Sequence, residues 1–279
     1  MISFKGKQVT LVGRKLKTST FAPNFKVVSK DLKEVGLSNY KNKIKVITTF
    51  LSLDTPVCDL QVKEFNKKAS EFDVEMLGIS KDLPFAQSRF CESFNIKNMT
   101  LFSDYKNSSF GINYGLLIKE LNLLARAVII IDKSDVVRYV QIVDEQTKAP
   151  DYEKVLSSIK EVIKNPTSKE AKEANRCLPC EGEVKKLSKE KIERHMAQVK
   201  DWELVEDRKI VREFKFKDFL ETKYFLDLVA LLAEEEGHHP SFTMTFNTLK
   251  ISLTTHASGG LTDNDFIMAK MISEMYGKN

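Results

Sequence analysis

No stretch of 18 consecutive apolar residues occurs in this chain, which excludes a membrane-spanning helix of the ordinary kind. The first residues, Met1 to Lys7, lack the apolar core of a signal peptide, so a cytoplasmic protein is expected. Charge of one sign is not in excess either. Lysine and arginine number 44 against 39 aspartates and glutamates, a net +5, and the two signs are mixed along the chain. That argues against a dedicated nucleic-acid surface. Cysteine is scarce, with four in the whole sequence. In a reducing compartment so few point to chemistry or metal binding before structural disulfides. What is present is an ordinary globular composition over 279 residues, a length that suits two domains better than one.

The first half is organised around Phe50 to Cys58. The apolar run Val46 to Phe50 reads as a buried strand, and Val62, Phe65, Ala69 and Phe72 then recur at helical spacing. Pro56 stands where a first helical turn tolerates it. Cys58 therefore falls in or near that turn, beside free backbone N–H groups and the positive end of the helix dipole. Such surroundings stabilise a thiolate. A buried, inert cysteine is the bland alternative; the position after a strand and beside the Thr55 hydroxyl favours the reactive one. Around this unit the patterns predict an N-terminal hairpin from Val9–Val12 and Phe25–Val28 and strands over Ile44–Phe50, Glu75–Ile79 and Thr100–Ser103. They also predict a helix that carries Cys91, capped by Asp82 with Pro84 in its first turn. Ala127–Ile131 and Val136–Ile142 read as a hairpin, and Tyr152–Lys164 as the closing helix. Alternating strands and helices that end in an antiparallel pair predict a mixed α/β sheet with helices on both faces.

Ser52-Leu53-Asp54-Thr55-Pro56-Val57-Cys58 and Asp82-Leu83-Pro84-Phe85-Ala86-Gln87-Ser88-Arg89-Phe90-Cys91 resemble the thiol peroxidases, the atypical two-cysteine branch of the peroxiredoxins. Ala125-Arg126-Ala127 before an apolar strand, and Pro150-Asp151-Tyr152, agree. The resemblance spans residues 3–163. It implies a thioredoxin-like fold and reduction of hydrogen peroxide or organic hydroperoxides. It also implies Cys58 as the peroxidatic cysteine, Cys91 as its resolving partner and a thioredoxin-type dithiol as reductant. The residue types suit that chemistry: a thiolate attacks a peroxide oxygen, and a second thiol condenses the resulting sulfenic acid to a disulfide. The departing oxygen needs fixed donors. The Thr55 hydroxyl and the permanent cation of Arg126 are the candidates; their bland alternatives are a helix cap and a surface ion pair. Leu51 stands where the family normally has proline, so a looser cover over the sulfur is expected.

Residues 165–176 begin with Asn165-Pro166 and contain no large apolar residue, a linker pattern. The expected domains are therefore 1–164 and 177–279, joined by 165–176. Cys177-Leu178-Pro179-Cys180 has no second C-x-x-C pair behind it, so it is a weak signal for a metal or redox centre. Beyond it the patterns predict helices over Ser188–Val199, Asp218–Glu236 and Thr262–Tyr276, with Thr262 as a cap. Ile210–Phe216 alternates as a half-buried strand, and Ser241–Phe246 with Leu249–Thr254 reads as a hairpin. Locally paired strands with helices on one face predict a small α+β domain. His238, His239 and His256 are three of the four histidines. Adjacent side chains diverge along one backbone and no H-x-x-x-H spacing is present, so a proton-transfer site ranks above a metal site. Gly259-Gly260 marks a place where backbone can approach a ligand.

Glu234-Glu235-Glu236-Gly237-His238-His239-Pro240 and Thr255-His256-Ala257-Ser258-Gly259-Gly260-Leu261-Thr262-Asp263-Asn264-Asp265 resemble pterin-4a-carbinolamine dehydratases. Trp202 and the run Phe214 to Phe219 agree, over about residues 177–276. The resemblance implies loss of water from a 4a-hydroxytetrahydropterin, giving quinonoid dihydropterin, with no metal and no bound cofactor. That elimination needs an acid for the departing hydroxyl and a base for a ring N–H proton, and imidazole fills either role near neutrality. His238 and His256 are the expected proton-transfer groups and His239 a binding group. Glu234 and Asp265 are expected to orient an imidazole or contact the pterin; dipole compensation is the bland role of Asp265. The whole chain reads as a bifunctional fusion that self-associates through either domain. The alternative is an N-terminal peroxide sensor with a C-terminal binding or dimerisation module, against which the intact histidine set argues.

Overall fold

A computed structural model describes residues 1–168, 177 and 184–277. Part of the expected linker, 169–176, and Cys180 lie outside the described residues. The chain divides into two compact units, Met1–Ala174 and Asn175–Asn279.

In the first unit a short hairpin, β1 (Ser3–Phe4) and β2 (Lys7–Gln8), precedes β3 (Leu11–Val12), β4 (Val27–Val28), β5 (Glu34–Val35) and β6 (Lys45–Thr49). Then follow α1 (Pro56–Ala69), β7 (Glu75–Ser80), α2 (Pro84–Ser93), β8 (Thr100–Ser103) and the short α3 (Ser109–Asn113). The unit ends with β9 (Leu117–Ile118), β10 (Leu123–Leu124), β11 (Ala127–Ile131), β12 (Val137–Ile142) and α4 (Tyr152–Lys164). Its main sheet runs β12-β11-β6-β7-β8-β4-β5. β6, β7 and β8 are parallel, and the other pairs are antiparallel.

Every residue of β6 and β11 is buried, as inner strands covered on both faces require. One face sets Val46, Val128 and Ile130 in a cluster with Val62 and Phe65 of α1, Phe90 of α2, and Val155 and Ile159 of α4. The other sets Ile47, Ile129 and Ile131 with Phe25, Leu37, Phe110 and Tyr114. That side is closed by short helical turns and irregular chain, where the long helices cover the first. Each fully buried side chain of this size contributes roughly 1.5–3 kcal/mol. The N-terminal hairpin is β1 with β2; Val9–Val12 and Phe25–Val28 do not pair with each other. β3 pairs with β9, and β4 with β8 and β5. A short β-rich segment marks extended backbone without naming its partner, and these two find theirs elsewhere.

The second unit contains α5 (Lys189–Met196), β13 (Glu203–Val205), β14 (Lys209–Lys215), α6 (Phe219–Glu236), β15 (Ser241–Met244), β16 (Thr248–Leu253) and α7 (Asp263–Tyr276). The antiparallel sheet runs β13-β14-β16-β15. Along β16, Leu249, Ile251 and Leu253 are buried while Lys250 and Ser252 are not, the alternation of a sheet covered on one face. On that face Phe214 of β14 meets Phe225 of α6 at 5.2 Å and Tyr276 of α7 at 4.9 Å between ring centroids. Trp202 meets Phe214 edge-on and donates its indole N–H to Ser273 Oγ at 3.0 Å. Gly237, at φ +63°, ends α6 in the left-handed conformation that glycine adopts freely. The chain then turns so that His238 N–H reaches the Ala233 carbonyl at 3.1 Å. Among the described residues no helix is long and apolar enough to cross a membrane.

Candidate active sites

The thiol site is built where β6 hands over to α1. Phe50, Leu51 and Leu53 are buried in the same apolar cluster as Cys58. Leu51 is 4% exposed, so an apolar cover is present despite the missing proline. Thr55 is the N-cap in extended conformation and Pro56 opens the helix, which leaves Cys58 in the first turn, fully buried. The Thr55 hydroxyl makes no cap bond; it donates to the Ser52 carbonyl at 3.1 Å. Arg126, immediately before β11, is 2% exposed. Its Nη2 lies 3.2 Å from Cys58 Sγ, its Nε donates to the Gln146 carbonyl at 3.1 Å, and its Nη1 to Gln61 Oε1. The amide of Gln61 in turn donates to the Thr49 carbonyl at 3.2 Å and to Thr48 Oγ1.

A buried guanidinium needs compensation. Among the described residues its other hydrogen-bond partners here are neutral amides, and a Cys58 thiolate would supply the balancing negative charge. That arrangement serves nucleophilic attack by sulfur, with a fixed donor fork ready for charge on an incoming oxygen.

Cys91 lies in α2, half-buried against the same cluster. It opens onto a pocket of about 500 Å³ lined also by Lys30, Gln87, Glu92, Met99 and Leu101. Burial pushes the Cys91 thiol above the usual range; Lys30 opposes that rise and Glu92 adds to it. Cys58 and Cys91 are both free thiols. Asp82 does not cap α2. Leu83 holds the N-cap position, and the Asp82 carboxylate accepts instead from Ser52 Oγ (2.7 Å), Leu53 N–H (2.9 Å) and Ser80 Oγ (2.8 Å). Two donors from the β6–α1 loop and one from the end of β7 outcompete one helical N–H.

The histidine site lies at the end of α6 and the start of α7. His238 is 3% exposed, and its Nε2 is 2.8 Å from Oδ1 of the fully buried Asp265. Asp265 Oδ2 accepts from Thr262 N–H at 2.8 Å and Thr255 Oγ1 at 2.9 Å. Asp265 thus closes the capping box of α7 and orients His238 at once. Glu234 contacts the other imidazole, accepting from exposed His239 Nε2 at 3.1 Å. His256 is exposed in the 3₁₀ turn His256–Ser258, and Thr255 beside it is pinned to Asp265. Among the described residues no three His, Cys, Asp or Glu side chains are grouped to hold a metal ion. Gly259 sits at φ +66°, and a Cβ on Gly260 would lie 2.7 Å from Lys186 Cε. The two glycines thus answer to backbone conformation and to Lys186.

The redoxin family model matches residues 17–156, half of the chain, and the model for pterin 4 alpha carbinolamine dehydratase matches residues 185–275. The chain belongs to the redoxin family. Thiol peroxidase from Staphylococcus saprophyticus is 45% identical over 161 residues, covering 58% of this chain and 98% of that protein. Thiol peroxidase from Clostridium acetobutylicum is 48% identical over 158 residues, covering 56% and 96%. Among solved structures, a peroxiredoxin-like protein from Aquifex aeolicus superposes with a TM-score of 0.55 at 46% identity, covering 58% of this chain and 96% of that one. The redoxin unit is thus a thiol peroxidase domain of thioredoxin-like fold, joined to a pterin-4a-carbinolamine dehydratase domain. The chain is an enzyme, an oxidoreductase fused to a lyase.

In the redoxin unit, Gln61, Gln146 and Asp82 hold the reactive loop and its arginine, and none of them stood out in the sequence as a site residue. The available signal for Gln61 is a polar residue one turn after Cys58 on a helix face otherwise buried and apolar at Val62 and Phe65. Asp82 carried a signal, but for the wrong partner.

Proposed function

We propose that the chain is bifunctional, reducing hydroperoxides at its N-terminal site and dehydrating 4a-hydroxytetrahydropterin at its C-terminal one. The observation that carries this reading is the Cys58 sulfur set against the Arg126 guanidinium at 3.2 Å in a fully buried first helical turn. Cys58 is the peroxidatic residue. Its thiolate attacks the terminal peroxide oxygen, Arg126 and the Thr55 hydroxyl stabilise charge on the oxygens, and water or an alcohol leaves. Cys91 condenses with the sulfenic acid to give a disulfide and water. A thioredoxin-type dithiol then reduces the disulfide.

In the dehydratase domain His238, oriented by Asp265, and His256 move the protons, while His239 with Glu234 binds the pterin. Support for this division comes from burial: the first histidine is locked, the others are open to ligand and water. The domains run over 1–164 and 177–279, the protein works in the cytoplasm and it self-associates.

Peroxide consumption with a thioredoxin system tests the first half. The wild type turns over, and Cys58→Ser falls to the uncatalysed background. Undiminished turnover in Cys58→Ser sinks the assignment. Dehydration of 4a-hydroxytetrahydropterin by the same preparation tests the second half, which fails if the rate matches the uncatalysed reaction.

A further inference from the structure

The two free thiols face different surroundings. Cys58 is fully enclosed, its sulfur under Arg126. Cys91 opens onto a pocket whose lining includes none of Cys58, Thr55 and Arg126. A disulfide requires Cα atoms roughly 4.4–6.8 Å apart and a defined torsion. Neither thiol is in a disulfide, and bonding them would take the Cys58 sulfur out of its setting under Arg126.

One carboxylate ties together the two segments that carry the thiols. Ser52 and Leu53 lead into α1 and Cys58, while Asp82 leads into α2 and Cys91. Asp82 Oδ1 accepts from Ser52 Oγ at 2.7 Å, and Oδ2 from Leu53 N–H at 2.9 Å and Ser80 Oγ at 2.8 Å. Its own carbonyl accepts from Ser103 Oγ, which anchors it to β8. Ser52 is held again from its far side, since its carbonyl accepts the Thr55 hydroxyl. The clamp thus reaches from the start of α2 to the Thr55 hydroxyl at the N-cap of α1. Hydrogen bonds to a charged acceptor are the stronger kind.

We propose that Asp82 is a positioning residue that holds Cys58 in its peroxide-reactive setting, and that its release admits Cys91. This rests on the assignment of Cys58 and Cys91 given above. Two reactions compete for the sulfenic acid. In one, Cys91–SH displaces the hydroxyl of Cys58–SOH, forming the S–S bond and releasing water. In the other, a second hydroperoxide oxidises Cys58–SOH to the sulfinic acid and leaves as water or an alcohol. A closed clamp favours the first peroxide step and prolongs the sulfenic acid; an open clamp slows the former and favours the disulfide. Asp82 therefore sets the partition between resolution and over-oxidation.

The test treats the full chain, reduced and without reductant, with graded hydrogen peroxide and counts disulfide against sulfinic acid by intact mass. Asp82→Ala is expected to slow the single-turnover peroxide step by about tenfold, the scale of one lost charge-assisted hydrogen bond. The peroxide concentration that gives half sulfinic acid should rise by about the same factor. Asp82→Asn, which keeps an acceptor for Leu53 N–H, should fall between. Val62→Ala, a cavity in the same cluster that does not touch the clamp, should lower the melting temperature without moving the partition. A wild-type partition in Asp82→Ala, or a shift matched by Val62→Ala, overturns the proposal. If Asp82→Ala loses its cooperative melting transition, Ser52→Ala, which removes the Oδ1 bond and the 3.3 Å bond from Asp54 N–H but keeps the carboxylate, decides by the same criterion. A wild type that consumes peroxide but forms no Cys58–Cys91 bond overturns the cysteine assignment itself, and the clamp with it.

Discussion

On the proposed roles, the thiol site relies on a guanidinium, whereas the dehydratase site relies on groups that must exchange protons. Arg126 is buried among neutral amides, with the Cys58 sulfur 3.2 Å from its Nη2. His238 is buried just as deeply, yet its partner is a carboxylate that is itself tied by two threonines. His239 and His256 stand open. A nucleophile benefits from a fixed field and little water, since fixed donors need not reorganise during reaction. A dehydratase must take up and return protons, so one imidazole is locked for geometry and others stay in exchange with solvent. Burial by itself thus says little about role; the kind of partner says more.

The largest effect should appear where that contrast is sharpest. His238→Ala is expected to lower kcat for pterin dehydration by about 10²–10⁴-fold, the usual contribution of a positioned acid or base. His239→Ala should stay within about tenfold, because its partner Glu234 is two-thirds exposed, and such pairs contribute little. Steady-state dehydration kinetics separate the two, and equal losses would erase the distinction between locked and open imidazoles. Next in size, Arg126→Lys keeps the charge but cannot engage Gln146, Gln61 and Cys58 together. Peroxide kcat/KM should fall about 10- to 150-fold, matching one lost hydrogen bond to a charged group. An unimpaired lysine variant would show that charge alone suffices and that the donor fork is incidental.

Much of the scaffold behind these sites was legible in the sequence, and the exceptions have a common cause. β11 is an unbroken apolar run and β6 is rich in β-branched residues (Val46, Ile47, Thr48, Thr49), both covered on two faces, and strand, Pro56 and Cys58 follow in an order that puts the thiol in a first turn. Thr262 and Asp265 carry capping-box spacing. Side chains whose partners are distant in sequence were not legible from local pattern; the expectation that Asp265 orients an imidazole came from the family resemblance. Gln61 meets Arg126 across 65 positions and His238 meets Asp265 across 27, and no local pattern names such partners. Asp82 stood in a good capping position and was claimed by a tertiary contact with more donors. Gly260 suggested an approaching ligand, and the neighbour turned out to be the stem of Lys186.

The smallest expected effect concerns the resolving thiol, and its sign follows from its surroundings. Burial raises the Cys91 pKa, Glu92 adds to the rise and Lys30 opposes it. The thiolate is the attacking form, so at neutral pH only a small fraction of Cys91 is ready to meet the sulfenic acid. Disulfide formation should therefore quicken as pH rises, by about tenfold per unit until the raised pKa is passed. Lys30→Ala removes the opposing charge, pushes the pKa further up and should slow disulfide formation at neutral pH by roughly two- to threefold. Rapid quench with intact-mass detection follows the step directly. A profile flat in pH would place the barrier in the opening of the Asp82 clamp, because ionisation of a thiol cannot limit a step that ignores its proton. The slope should then reappear in Asp82→Ala, where the clamp no longer holds the two segments together.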